Sequence, residues 1–344
     1  MKKYMKKLLA ICMIAIYMLT GCGSAQDAAV SSDTEQVTDN AFPEELYNET
    51  YIVEEALAEQ MVPLSGTPTD NTAIHVPVAS GVIVYGGDSK SKGVTMDASN
   101  TDKGYVMIKC NNSSDAKKKV IVQGPSGVKY TYNLNKKDAF ETFILSDGDG
   151  KYSIGVYQNV QGTKYSVLFS KQLDVKLSDQ FAPFLNPNQY VDYTMDSNTV
   201  KMAAQLTTGM TDELQKVQAV YNYVVKNFTY DKQKAQTVQS GYLPVVDQVL
   251  AQKKGICFDY ASVMTAMLRS QNIPTKLVTG YTGSAYHAWI STYTKETGWV
   301  EGVIFFDGVS WKLMDPTFAS SGKSSDAIMK YIGDGKNYTE KYLY

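Results

Sequence analysis

The chain has 344 residues, 44% of them hydrophobic, and a formal net charge of −2 from 33 basic and 35 acidic residues. It is long enough to bury more than one ordinary core, and with Arg269 as its sole arginine it has no arginine cluster for phosphates, which argues against nucleic acid as a partner. Four cysteines, Cys12, Cys22, Cys110 and Cys257, are too few for a disulfide framework.

Lys2, Lys3, Lys6 and Lys7 precede an apolar run over residues 8–20. The run is too short to span a bilayer comfortably and reads as the core of a secretory signal. Leu19-Thr20-Gly21-Cys22 resembles the lipobox of bacterial lipoproteins. The resemblance implies a signal peptide over residues 1–21, a lipid carried by Cys22, and an extracytoplasmic protein anchored to the cell membrane. Loss of the four signal lysines would take the net charge from −2 to −6 and leave Cys110 and Cys257 as the free thiols.

Residues 22–72 read as a lipidated acidic tether, since no lysine occurs between Lys7 and Lys90 and such one-sign, weakly apolar sequence resists compaction. At most a short helix is expected around residues 43–61.

Residues 73–178 hold short β-rich runs: IHVPVASGVIVY, YVMIKC, KKVIVQ, VKYTYNL, FETFIL, YSIGVYQ and YSVLFSKQLDVKL. Turn sequences such as Gly124-Pro125-Ser126-Gly127 separate them. About seven strands at this spacing predict an antiparallel β-sandwich of immunoglobulin-like architecture. His75 reads as a rim residue at a strand edge, and Cys110 as a half-buried small hydrophobe. No metal site is expected.

From residue 179 to 344 the pattern becomes mixed, so the predicted class is α+β. Leu214, Val217, Tyr221, Val224 and Phe228 recur every three or four residues and predict an amphipathic helix over residues 211–228, capped by Thr211. Gly255-Ile256-Cys257-Phe258-Asp259-Tyr260 leads into a second helix that stops near Asn272, ahead of Pro274, with Cys257, Ala261, Met264 and Leu268 on one face.

Cys257 therefore falls in the first turn of a helix, where the macrodipole favours thiolate and unpaired N–H groups can stabilise an oxyanion. His287, the only histidine after the thiol, begins a strand in YHAWISTYT and is the available base. Asp315 ends an apolar strand before Pro316 and can orient the imidazole. Asp307 is a rival, but Asp307-Gly308 reads as a hairpin turn.

GICFDYA, MLRSQNIPTKLVTGY, YHAWI and WKLMDPTF together resemble the core of the transglutaminase-like superfamily. The resemblance covers about sixty residues and implies a papain-like α+β domain with Cys257 as nucleophile, His287 as base and Asp315 as orienting acid. It also suggests Tyr230 as a candidate oxyanion donor and a structural role for Arg269. A sortase-like site would instead place its histidine before the cysteine. The function expected is acyl transfer without cofactor or metal, through a thioester on Cys257, from protein or peptide amides to water or an amine. The alternative is a catalytically silent surface binding, adhesion or scaffold protein.

Overall fold

A computed structural model describes residues 34–36, 74–282, 285–295, 298–300, 304–306, 311–313 and 338–344. The signal peptide, Cys22, most of the tether, Asp307 and Asp315 lie outside the described residues.

The first run of elements is all strand: β1 (Thr34–Gln36), β2 (Val84–Gly86), β3 (Val94–Asp97), β4 (Tyr105–Cys110), β5 (Lys118–Gln123), β6 (Lys129–Leu134), β7 (Glu141–Ile144), β8 (Gly150–Gln161) and β9 (Lys164–Val175). They pair antiparallel into two sheets, ordered β1-β9-β8-β5-β6 and β2-β3-β4-β7. The period of two explains the burial. On β5, Val120 and Val122 enter the core with Val106, Ile108 and Phe143. Ile121 falls on the other face beside Tyr165, over whose ring Lys119 sits at 5.4 Å.

Three details differ from the sequence expectation. Of IHVPVASGVIVY only Val84 and Tyr85 join a sheet, in a strand that runs on to Gly86. The N–H of Gly81 is taken by Asp97 Oδ2 at 2.6 Å, and those of Val82 and Ile83 by Ser99 Oγ at 2.9 and 2.8 Å, so side chains replace the ladder there. His75 consequently lies in irregular chain rather than at a strand edge, with Nε2 3.2 Å from Asn272 Oδ1. Thr34–Gln36, read as tether, pairs with β9 as an edge strand.

The second run is α1 (Asn198–Leu206), α2 (Glu213–Asn227), β10 (Thr229–Tyr230), α3 (Lys232–Thr237), α4 (Val246–Gln252), β11 (Lys254–Gly255), α5 (Cys257–Arg269), β12 (Thr275–Thr282), β13 (Ala285–Thr294), β14 (Gly298–Val300), β15 (Ile304–Phe306), β16 (Trp311–Leu313) and β17 (Tyr338–Leu343). Strands β14-β13-β12-β17 form an antiparallel sheet, and β15 pairs antiparallel with β16, while the turn expected at Asp307-Gly308 lies outside the described residues. The predicted amphipathic helix is α2, with Leu214, Val217, Tyr221 and Val224 buried. Its cap is Asp212 rather than Thr211: the Asp212 carboxylate accepts the Gln215 N–H at 2.8 Å, and its charge suits the positive helix end.

Helix α5 is buried on every side, all thirteen residues, and not only along the face that Cys257, Ala261, Met264 and Leu268 share. It packs against α1, α2 and α4 and against β12 and β13, and a helix so enclosed needs no polar face. Arg269 at its end is fully buried. It donates to Thr275 O at 2.9 and 2.7 Å, to Asn186 O at 2.6 Å and to Tyr344 O at 2.6 Å, and burial pushes the guanidinium pKa down to about 10.

The two runs share one continuous buried core. At the junction Tyr344 meets Tyr190 at 4.3 Å and Tyr132 at 5.8 Å, Tyr132 meets Phe143 at 5.3 Å, and Tyr190 meets Phe258 at 5.8 Å. This chain of rings runs from the strand sheets to the residue that follows Cys257. Among the described residues no helix is long and apolar enough to cross a membrane.

Candidate active site

Cys257 is the first residue of α5 and is 4% exposed. N–H groups in a first helical turn have no partner inside the helix and point along its axis, so an anion at this tip meets donors and the positive end of the macrodipole. The thiol is less open than a reactive surface cysteine would be. Cys110, at the end of β4, shows the same 4%, so exposure does not distinguish the two and position does.

The turn before Cys257 is held by Asp259. The N-cap residue Ile256 has no acceptor in its side chain, and Asp259 Oδ2 reaches back to take the Ile256 N–H at 2.8 Å. That return path explains Gly255: a Cβ there would sit 2.5 Å from Asp259 Cβ. Replacing Gly255 with Ala is expected to destabilise the protein by roughly 1–3 kcal/mol and to slow alkylation of Cys257. Urea denaturation alongside thiol-labelling rates checks both.

Asp259 is itself fully buried and takes a hydrogen bond from Tyr242 at 2.6 Å and an ion pair from Lys234 at 2.7 Å. Burial, then the Asp259 charge, raises the Tyr242 phenol pKa far above its usual range. Sequence reasoning missed all three residues. A capping-box reading with Asp259 three positions after the cap would have found that one. Lys234 and Tyr242 come from elsewhere in the chain and left no local signal.

His287 is the third residue of β13, 8% exposed, with its ring near parallel to Trp289 at 6.4 Å. Packing of α5 on β13 brings together the elements that carry the thiol and the imidazole. Opposite His287 in register stands Gly280 of β12, where a Cβ would meet the Trp289 ring at 2.8 Å and the Thr339 carbonyl closer still. Next to His287, Tyr286 donates to Thr279 Oγ1 at 2.9 Å. Burial raises its phenol pKa, and the hydrogen bond to Thr279 opposes the shift.

Tyr230 lies on β10, paired in parallel with β11 so that it stands opposite Gly255, two residues before the thiol. Asp231 N donates to Gly255 O at 2.8 Å and fixes the pair. Asp315 lies outside the described residues. Among the described residues no group of three or more His, Cys, Asp or Glu side chains is arranged to hold a metal ion.

Residues 200–302 match the family model of the transglutaminase-like superfamily. This stretch is a transglutaminase-like domain. Cys257 and His287 fall inside it. YebA, an uncharacterised protein of Bacillus subtilis (strain 168), is 33% identical over 119 residues, which span 29% of this chain and 16% of YebA. The chain thus matches about a sixth of that relative's length.

Two solved structures are similar over larger shares. A Cytophaga hutchinsonii protein whose cysteine-protease assignment is provisional is 16% identical, with a TM-score of 0.35, covering 70% of this chain and 76% of that one. Red sea bream transglutaminase is 12% identical, with a TM-score of 0.27, covering 69% of this chain and 55% of that one. At these scores the resemblance to the transglutaminase-like domain rests on the sequence match and not on superposition.

Proposed function

We propose that the transglutaminase-like domain is a thiol-dependent acyl-transfer enzyme. In this reading Cys257 attacks a carboxamide or peptide carbonyl, His287 takes the thiol proton and returns one to the leaving amine, and Asp315 orients the imidazole. Backbone N–H groups at the tip of α5, with Tyr230 beside them, receive the oxyanion. The thioester then passes to water or to an amine, giving peptidase, deamidase or cross-linking action. The observation that carries this reading is the thiol at the first residue of a helix that packs on the strand bearing His287 within the family match.

Incubating the protein with candidate peptide amides and a labelled amine, followed by mass spectrometry of the Cys257 peptide, tests it. An acyl adduct on Cys257 supports the reading, and transfer that proceeds with no adduct and no dependence on Cys257 removes it.

The reading extends to location. We place the protein outside the cytoplasm, anchored by lipid at Cys22, with the acidic tether carrying the body away from the membrane and residues 73–178 as an immunoglobulin-like sandwich. The basis is the lipobox-like Leu19-Thr20-Gly21-Cys22. Metabolic labelling with a tagged fatty acid is expected to mark the wild type and not Cys22→Ser. Equal label in both would overturn the anchor.

A further inference from the structure

We propose that Lys234 and Asp259 form a buried charge pair that positions the nucleophile turn and sets the ionisation of Cys257, each charge opposing the other's effect on the thiol. The proposal rests on the reading of Cys257 as nucleophile.

Asp259 has both oxygens occupied: Oδ2 by the Ile256 N–H at 2.8 Å and by Lys234 Nζ at 2.7 Å, and Oδ1 by the Tyr242 hydroxyl at 2.6 Å. Lys234 closes the triangle, donating to the Tyr242 oxygen at 2.6 Å with Nζ 4.2 Å from the centre of that ring. Three separate pieces of chain thus converge on the turn before the thiol: α3, the segment ahead of α4, and α5. A helix cap alone does not require this. An amide at position 259 could accept the same N–H, whereas a carboxylate with no exposed side-chain surface is costly to bury unless a cation accompanies it. Here the cation is supplied, and from a lysine whose own side chain is 26% exposed.

The other ionisable groups around the turn are of a different kind. Tyr260 belongs to the same helix, Tyr230 to β10, and Tyr286 and His287 to β13. The Asp231–Lys254 pair at 3.6 Å flanks β10 and β11, with side chains 20% and 51% exposed, so solvent screens it. In the Lys234–Asp259 pair the carboxylate has no exposed side-chain surface.

The signs follow from electrostatics. Without Lys234, an uncompensated carboxylate two residues from the thiol disfavours thiolate. Without the Asp259 charge, an uncompensated ammonium favours it. Opposite shifts that cancel in the double variant are the mark of charge, whereas two independent losses of structure would accumulate.

The experiment is the pH dependence of iodoacetamide alkylation in the mature protein, read by peptide mass spectrometry at Cys257. Cys110, in the sheet core, serves as the internal folding control through its slow labelling. Lys234→Gln is expected to raise the alkylation midpoint and Asp259→Asn to lower it, each by about one pH unit or less, with the double variant returning toward wild type. If Asp259→Asn exposes Cys110, Tyr242→Phe replaces it: loss of a donor to the carboxylate is expected to raise the midpoint by less than Lys234→Gln does. Shifts of the same sign in Lys234→Gln and Asp259→Asn, or none, overturn the proposal, as does a lowered or unchanged midpoint in Tyr242→Phe. Failure of the enzyme reading looks different, because acyl transfer would then be absent in the wild type whether or not the midpoints move.

Discussion

Cys257→Ala is expected to reduce acyl transfer by about 10⁴-fold or more, because in a site of this kind the nucleophile is part of a unit whose loss removes most of the rate enhancement. His287→Ala should cost roughly 10²–10⁴-fold, the usual worth of a positioned proton acceptor. Cys110→Ala removes a thiol of equal burial from the sheet core and should leave turnover unchanged at temperatures where the protein is folded. The comparison is therefore between two cysteines with the same exposure, one at a helix tip and one at a strand end. Single-turnover assays on all three variants decide it. Full activity in Cys257→Ala would sink the assignment.

The second large effect concerns stability rather than chemistry. Arg269→Ala is expected to destabilise the protein by roughly 3–5 kcal/mol, since in a buried site it leaves the Asn186 and Thr275 oxygens without the guanidinium donor and Tyr344 O with the Leu277 N–H alone. Net stabilities of domains run at about 5–15 kcal/mol, so this loss approaches the whole margin of a weak one. Arg269→Lys should recover only part of it, because one ammonium replaces a planar fork that reaches three chain segments at once. Urea denaturation with two spectroscopic probes measures both. A change below about 1 kcal/mol in Arg269→Ala would show that water or a shift of the chain satisfies the carbonyls instead.

Much of this was legible in the sequence because it is local. The alternation in KKVIVQ and YVMIKC marks strands, the three-and-four spacing from Leu214 to Val224 marks a helix, and Gly255-Ile256-Cys257 ahead of ASVMTAML places a thiol at a helix start. Where the reading went astray or stopped short, long-range contacts had overruled local preference. Side-chain bonds from Asp97 and Ser99 keep residues 81–83 out of a sheet, and α5 carries no solvent face because elements distant in sequence cover it.

The same division holds at the candidate site. By itself the sequence determined which reactive residue types are present, their order, and the helix tip on which the thiol stands, since these depend on near neighbours and on the 3.6 and 2.0 periods of the backbone. Only the tertiary structure decided that Lys234 and Tyr242 close on Asp259, that Arg269 gathers three segments, and that a chain of aromatic rings joins the strand sheets to Phe258. Those contacts bring together groups up to 212 positions apart in the chain, Tyr132 and Tyr344, and no local periodicity encodes which distant partner a buried charge or ring will meet.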